Sequence, residues 1–255
     1  PYADLQAYDD VIQAATGTTS LLPRVDGNPA PRYLPSLIAD KVAGQFGAQA
    51  ILAALVHKFR TGEGQAVEVP MFECFASFML TEHLRDEALD PPIGPAGYPR
   101  QLDPERQPFP TSDGHLAIVP YTPASTERLM KLLGGEALLS SPEFEAAKAT
   151  GKHMPLVYAE IARRTPAKTS AEWLDIFAAN DIPAMAARDL QDIRSDPHLA
   201  ATGFFRRREH PDVGGFHEMR PPVKYGAAPP RDLGFAPRID GDGAAIRSEL
   251  ARGKG

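Results

Sequence analysis

The chain has 255 residues, 43% hydrophobic and 24% charged, enough apolar sequence to bury the core of one large or two modest domains. Its 27 basic and 33 acidic side chains leave a net charge of −6, which gives no support to a nucleic-acid or membrane-surface partner. The single cysteine, Cys74, excludes an intrachain disulfide; with no long apolar run and no leader pattern, a cytoplasmic location is expected.

Leu5, Tyr8, Val11, Ile12 and Ala15 recur at helical spacing, and Gly17 supplies a stop. Residues 18–35 carry Pro23, Gly27, Pro29, Pro31 and Pro35 and read as a rigid loop. The next helix is the best defined. Ser36 is placed to cap it, Leu37, Ile38, Val42, Phe46, Ala50, Ile51, Ala54, Leu55 and Phe59 repeat at helical spacing, and Gly62 and Gly64 end it. Ala and Gly fill most other positions, which predicts a helix buried on nearly every side.

Asp40 is the only carboxylate between Ser36 and Arg60. At a helix amino end an acidic residue is often no more than a favourable dipole interaction. A carboxylate kept ionised there while short of water is also a potential nucleophile. Gly44, one turn later on the same face, and Gly47 remove side-chain bulk, so Gly44 is a candidate substrate-binding position.

Residues 66–69 read as a short strand closed by Pro70, and 71–89 as a helix with Phe72, Phe75, Phe78, Met79 and Leu80 on its apolar side and Cys74 as a small buried group. Residues 91–110 are proline-rich and aperiodic, a linker at a domain boundary; with only Gly94 and Gly97 they do not support a closing lid. Asp113-Gly114 turns into a strand carrying Leu116, Ile118 and Val119. Helices are predicted over 124–133, over 155–164 and from Thr169 or Ser170, with a strand over 182–187; Trp173 and Phe177 read as core. Alternating strands and helices indicate a small α/β domain. Asp196-Pro197 has the form of an N-cap followed by proline, which makes His198 a structural or solvated residue. Residues 204–225 read as a hairpin and 244–250 as a last helix. Arg206, Arg207 and Arg208 precede Glu209 and read as a solvated edge. No metal-binding spacing, phosphate loop, dinucleotide fingerprint or serine elbow is present, so no metal site is predicted.

Asp40-Lys41-Val42-Ala43-Gly44, then Ile51 to Leu55, then Arg60-Thr61-Gly62-Glu63-Gly64-Gln65 and a valine-rich segment resemble the central signature of the class III CoA-transferases, the CaiB/BaiF family. Tyr8-Asp9 with Val11, Ile12, Gln13, Ala14 and Gly17 resembles the family's stretch upstream of that aspartate. Asp113-Gly114, Ile182-Pro183-Ala184, Asp196-Pro197-His198 and Ala236-Pro237-Arg238 resemble its later landmarks.

The resemblance implies an α/β fold in which 1–90 is part of a Rossmann-like large domain carrying the catalytic helix, 91–195 is the linker and small α/β domain, and 196–255 returns to the large domain. It also implies that the family's amino-terminal half lies outside this sequence. By the same resemblance Asp40 is the nucleophile, the partners are an acyl-CoA and a small carboxylic acid, and the protein is an interlocked homodimer. Coenzyme A enters as a thioester substrate, with no separate cofactor. Two rivals stay open: an acyl-CoA racemase using the equivalent aspartate as acid or base, and a non-catalytic fragment or assembly partner. Lys41-Val42-Ala43 stands where the racemases carry a glycine run, which favours transfer.

Overall fold

The computed structural model describes residues 1–2, 4–228 and 234–253. The chain separates into two compact units, Pro1–Ala187 and Arg188–Gly255. The first unit contains two distinct hydrophobic cores, one drawn from residues 12–79 and one from 109–182.

The first core is helical. It is built from α1 (Asp9–Ala15), α2 (Leu21–Asp26), α3 (Ile38–Thr61) and α4 (Met71–His83), and no strand lies before Phe109 among the described residues. α1 and α4 pack on α3 near its amino end and bury Ile12, Ala39, Val42, Phe75 and Met79. Gly27 and Gly62 close α2 and α3 in the left-handed region, where only glycine sits without strain.

Five expectations for this part are corrected. The segment 18–35 contains a 3-10 turn at Thr18–Ser20 and α2, because Pro23 lies in a first helical turn, where its missing amide costs nothing. α1 turns Asp9, Ile12 and Gln13 inward, and Leu5, Tyr8 and Val11 are exposed. Residues 66–69 pair with no strand and so form none. α3 is not buried on nearly every side: past its first turns Ile51, Leu52, Leu55, Val56 and Phe59 face solvent, Phe59 at 81% exposure, since α1 and α4 reach only the Ala39 and Val42 side. The helix predicted over 71–89 breaks at His83 and continues as a 3-10 turn, Arg85–Ala88.

The second core belongs to a small α/β layer. Strands β1 (Phe109–Pro110), β2 (His115–Ile118) and β3 (Ala184–Ala186) form an antiparallel sheet in that order, with Phe109 opposite Leu116 and Leu116 opposite Ala186. Along β2 burial alternates, Leu116 and Ile118 inward, as a sheet with one covered face requires. Helices α5 (Pro123–Leu133), α6 (Pro142–Ala149), α7 (Met154–Arg164) and α8 (Ser170–Ala179) supply the rest of the core, including Leu129, Phe144, Ile161, Trp173 and Phe177. Each such side chain contributes about 1.5–3 kcal/mol on burial. Trp173 stacks on Phe177 with ring centroids 5.3 Å apart and donates its indole N–H to the Thr165 carbonyl at 2.7 Å, which removes the cost of burying that donor. The helix starts are well marked: Thr122 with Ser125 and Thr169 with Glu172 form capping boxes.

The second unit holds α9 (Pro197–Ala201), the hairpin of β4 (Phe205–His210) with β5 (Gly214–Met219), and α10 (Gly243–Arg252). Asp196 caps α9 by accepting the amides of His198 and Leu199 at 2.9 and 3.0 Å, and the His198 side chain is exposed, as its position in a first turn suggested. Within the hairpin Glu218 accepts from both Arg206 and Arg208, and the Arg206 guanidinium, with Arg208 behind it, holds its carboxyl below the usual glutamate range. The basic run is therefore part of a charge-paired ladder.

Candidate active site

Asp40 lies in the first turn of α3 and its side chain is exposed. The desolvated, enclosed setting expected for it is not what this chain provides. The carboxylate accepts no hydrogen bond from the protein among the described residues. Gly44 lies one turn on, also exposed, with no heavy atom within 4 Å of where a Cβ would stand; Gly47 is half-buried but has the same room for a Cβ. The small residues thus leave α3 accessible along the strip that starts at Asp40.

The amino end of α3 is capped from a distance. Its N-cap residue is Leu37, which offers no side-chain acceptor, and the expected cap, Ser36, instead accepts from the Lys41 ammonium at 3.0 Å. The acceptor that takes its place is Asp9 of α1. Asp9 Oδ1 receives the backbone amides of Ala39 at 2.7 Å and of Asp40 at 3.2 Å, and Oδ2 receives Gln13 Nε2 at 2.6 Å. Gln13 Oε1 accepts the Leu34 amide at 2.9 Å, and its amide nitrogen also lies 3.2 Å from the Ser36 carbonyl. Asp9 is 5% exposed and Gln13 fully buried, and a buried carboxylate without such donors would cost several kcal/mol. The two residues stand one turn apart on α1, so a single helix face fixes the segment that leads into Asp40. Asp9 and Gln13 carry a sequence signal of their own, a polar pair at i, i+4 spacing beside apolar Ile12, to which the resemblance attaches no role.

In the small α/β layer a cavity of about 630 Å³ opens beside Tyr121, Lys131, Phe144, Lys148, His153 and Met154. His153 Nδ1 is buried there with no hydrogen-bond partner. The described residues contain no group of three or more His, Cys, Asp or Glu side chains able to hold a metal ion, and no helix among them is long and apolar enough to cross a membrane.

The chain is α/β, and its helix α3 carries glycines at 44 and 47 beyond an exposed carboxylate in its first turn. The model of CoA-transferase family III matches residues 1–243, and the chain belongs to that family. It is similar to the succinate–glutarate CoA-transferase of Agrobacterium fabrum, with 26% identity over 98% of this chain and 62% of the relative. It is also similar to the formyl-CoA:oxalate CoA-transferase of Escherichia coli, with 25% identity over 98% of this chain and 65% of that one. A crystal structure of a CaiB/BaiF family protein from Brucella suis superposes with a TM-score of 0.71 and 25% identity, covering 98% of this chain and 64% of that one. A Mycobacterium tuberculosis structure reaches a TM-score of 0.77 at 23% identity, over 96% of this chain and 64% of that one, and bears on the fold alone. The chain therefore spans less than two thirds of the relatives and structures it matches.

Proposed function

We propose that the protein acts in acyl-CoA:carboxylate CoA transfer with Asp40 as the nucleophile. The observation that carries this reading is the exposed, unbonded Asp40 carboxylate in the first turn of α3, in a chain of CoA-transferase family III. The Asp40 carboxylate attacks the thioester carbonyl of the donor, the C–S bond breaks, and CoA thiolate leaves an aspartyl mixed anhydride. The thiolate attacks the aspartyl carbonyl and expels the donor acid, giving an aspartyl-CoA thioester. An acceptor carboxylate attacks that thioester and forms a second anhydride, and the released thiolate takes the new acyl group and frees Asp40. No step needs a metal or a separate cofactor. Gly44 keeps the backbone next to the reacting carboxylate approachable, which suits a substrate contact.

Succinyl-CoA and glutarate are the first donor and acceptor to try, because a relative is named for that pair of acids. Chromatography of the CoA esters should show glutaryl-CoA formed by the parent chain and none by Asp40→Asn. Exchange of the α-hydrogen of a branched acyl-CoA in deuterated water, without transfer to any acid, would replace this reading with the racemase one. The exposed apolar side of α3 supports the homodimer expected from the resemblance, with cytoplasmic location retained as part of the same proposal.

A further inference from the structure

We infer that Asp9, braced by Gln13, is a positioning residue that keeps the Asp40 carboxylate free to react by occupying the helix amides that would otherwise bind it. The inference rests on the CoA-transfer reading of Asp40.

A carboxylate in the first turn of a helix lies at its positive end, within reach of that turn's unpaired amides, and is stabilised when it turns back to them. Such bonding lowers the energy of the ionised ground state and takes up the lone pairs that a nucleophile must present. In α3 the amides of Ala39 and Asp40 are already bonded to Asp9 Oδ1, and the Asp40 side chain is exposed and accepts no hydrogen bond from the described residues. Asp9 cannot swing off these amides easily, because its second oxygen is held at 2.6 Å by Gln13, itself fully buried and bonded to the backbone at Leu34 and Ser36. No cation pairs with Asp9 among the described residues; its partners are two amides at the positive end of a helix and one side-chain amide. The negative charge of Asp9 is thus spent against the same partial positive charge that would hold Asp40 down.

The experiment compares the parent, Asp9→Asn, Asp9→Glu and Gln13→Leu by three readings. Amide hydrogen exchange at Ala39 and Asp40 reports whether Asp9 holds those amides. Labelling of Asp40 with a water-soluble carbodiimide and glycinamide, read by peptide mass, reports how free the carboxylate is and needs no substrate. Single-turnover acylation by succinyl-CoA, with KM measured beside it, reports the consequence for chemistry. Asp9→Asn should speed exchange at both amides, slow carbodiimide labelling of Asp40 at least tenfold, and lower the acylation rate by a similar factor while KM stays within about twofold of the parent. Asp9→Glu should recover part of the labelling rate, and Gln13→Leu should fall between parent and Asp9→Asn.

Unchanged exchange and labelling in Asp9→Asn would overturn the inference, as would losses that track melting temperature across all three variants and so mark a role in folding alone. A parent chain that labels at Asp40 but is never acylated would sink the transfer reading while leaving the clamp to be judged by exchange and labelling.

Discussion

The two cores of the first unit are held together by different means. The small α/β layer closes on itself: thirteen buried apolar residues, from Phe109 to Ile182, interlock across a sheet and four helices. The helical part that carries Asp40 buries only five, and much of its internal fixing comes from the Asp9–Gln13 hydrogen bonds, while one side of α3 stays apolar and open. A packed core tolerates a neutral exterior, whereas a few hydrogen bonds can place one backbone segment accurately without much area behind it. The part of the chain that carries Asp40 is the part with less packing to hold it.

The comparison can be broken most forcefully in the α/β layer. Phe177→Ala removes a fully buried ring that stacks on Trp173 and should cost about 3–5 kcal/mol in urea unfolding, with the α3 amides less affected than those of β2. Asp9→Ala leaves two helix amides and the Gln13 side chain without their acceptor and should cost about 1–3 kcal/mol, felt first as faster hydrogen exchange at Ala39 and Asp40.

A smaller effect is expected at Glu160, whose carboxyl is held below the usual range by the Arg163 guanidinium first and Arg164 second, at 2.7 and 2.5 Å. Because its folded value is depressed, the stabilisation is present above the unfolded value, about 4.3, and is lost as pH falls through the folded value. Glu160→Gln should therefore cost roughly 1 kcal/mol at neutral pH and nothing once both states are protonated, read as a shrinking difference between the two stability curves below about pH 4. The smallest change in stability, within about 0.5 kcal/mol, is expected for Phe59→Ser, since that ring touches little. Its effect should appear in light scattering, where the variant should self-associate less than the parent at equal concentration.

What the sequence made legible follows the same division. Helix starts with their own signals, Thr169 with Glu172 and Asp196 before Pro197, stand where the residues put them, as do the Trp173 and Phe177 core and the hairpin over β4 and β5. These features depend on neighbours a few residues away. The misreadings depend on distant partners. Ser36 looked like the cap of α3, but an aspartate 27 positions earlier does that work, which no local pattern reveals. Residues 66–69 have strand-like composition and no strand to pair with. The Ala- and Gly-rich face of α3 signalled close neighbours, and in this chain only its amino end has them. The family was legible because the order of short motifs survives at 25–26% identity; the setting of Asp40, exposed and held through its backbone, was not.

The most direct test is to incubate the protein with succinyl-CoA, quench with hydroxylamine, digest, and map the modified peptide by mass. A hydroxamate on Asp40, absent without the thioester and absent from Asp40→Asn, is the predicted result. An unmodified Asp40 in a preparation that nevertheless forms glutaryl-CoA from glutarate would contradict the assignment of Asp40 as the nucleophile.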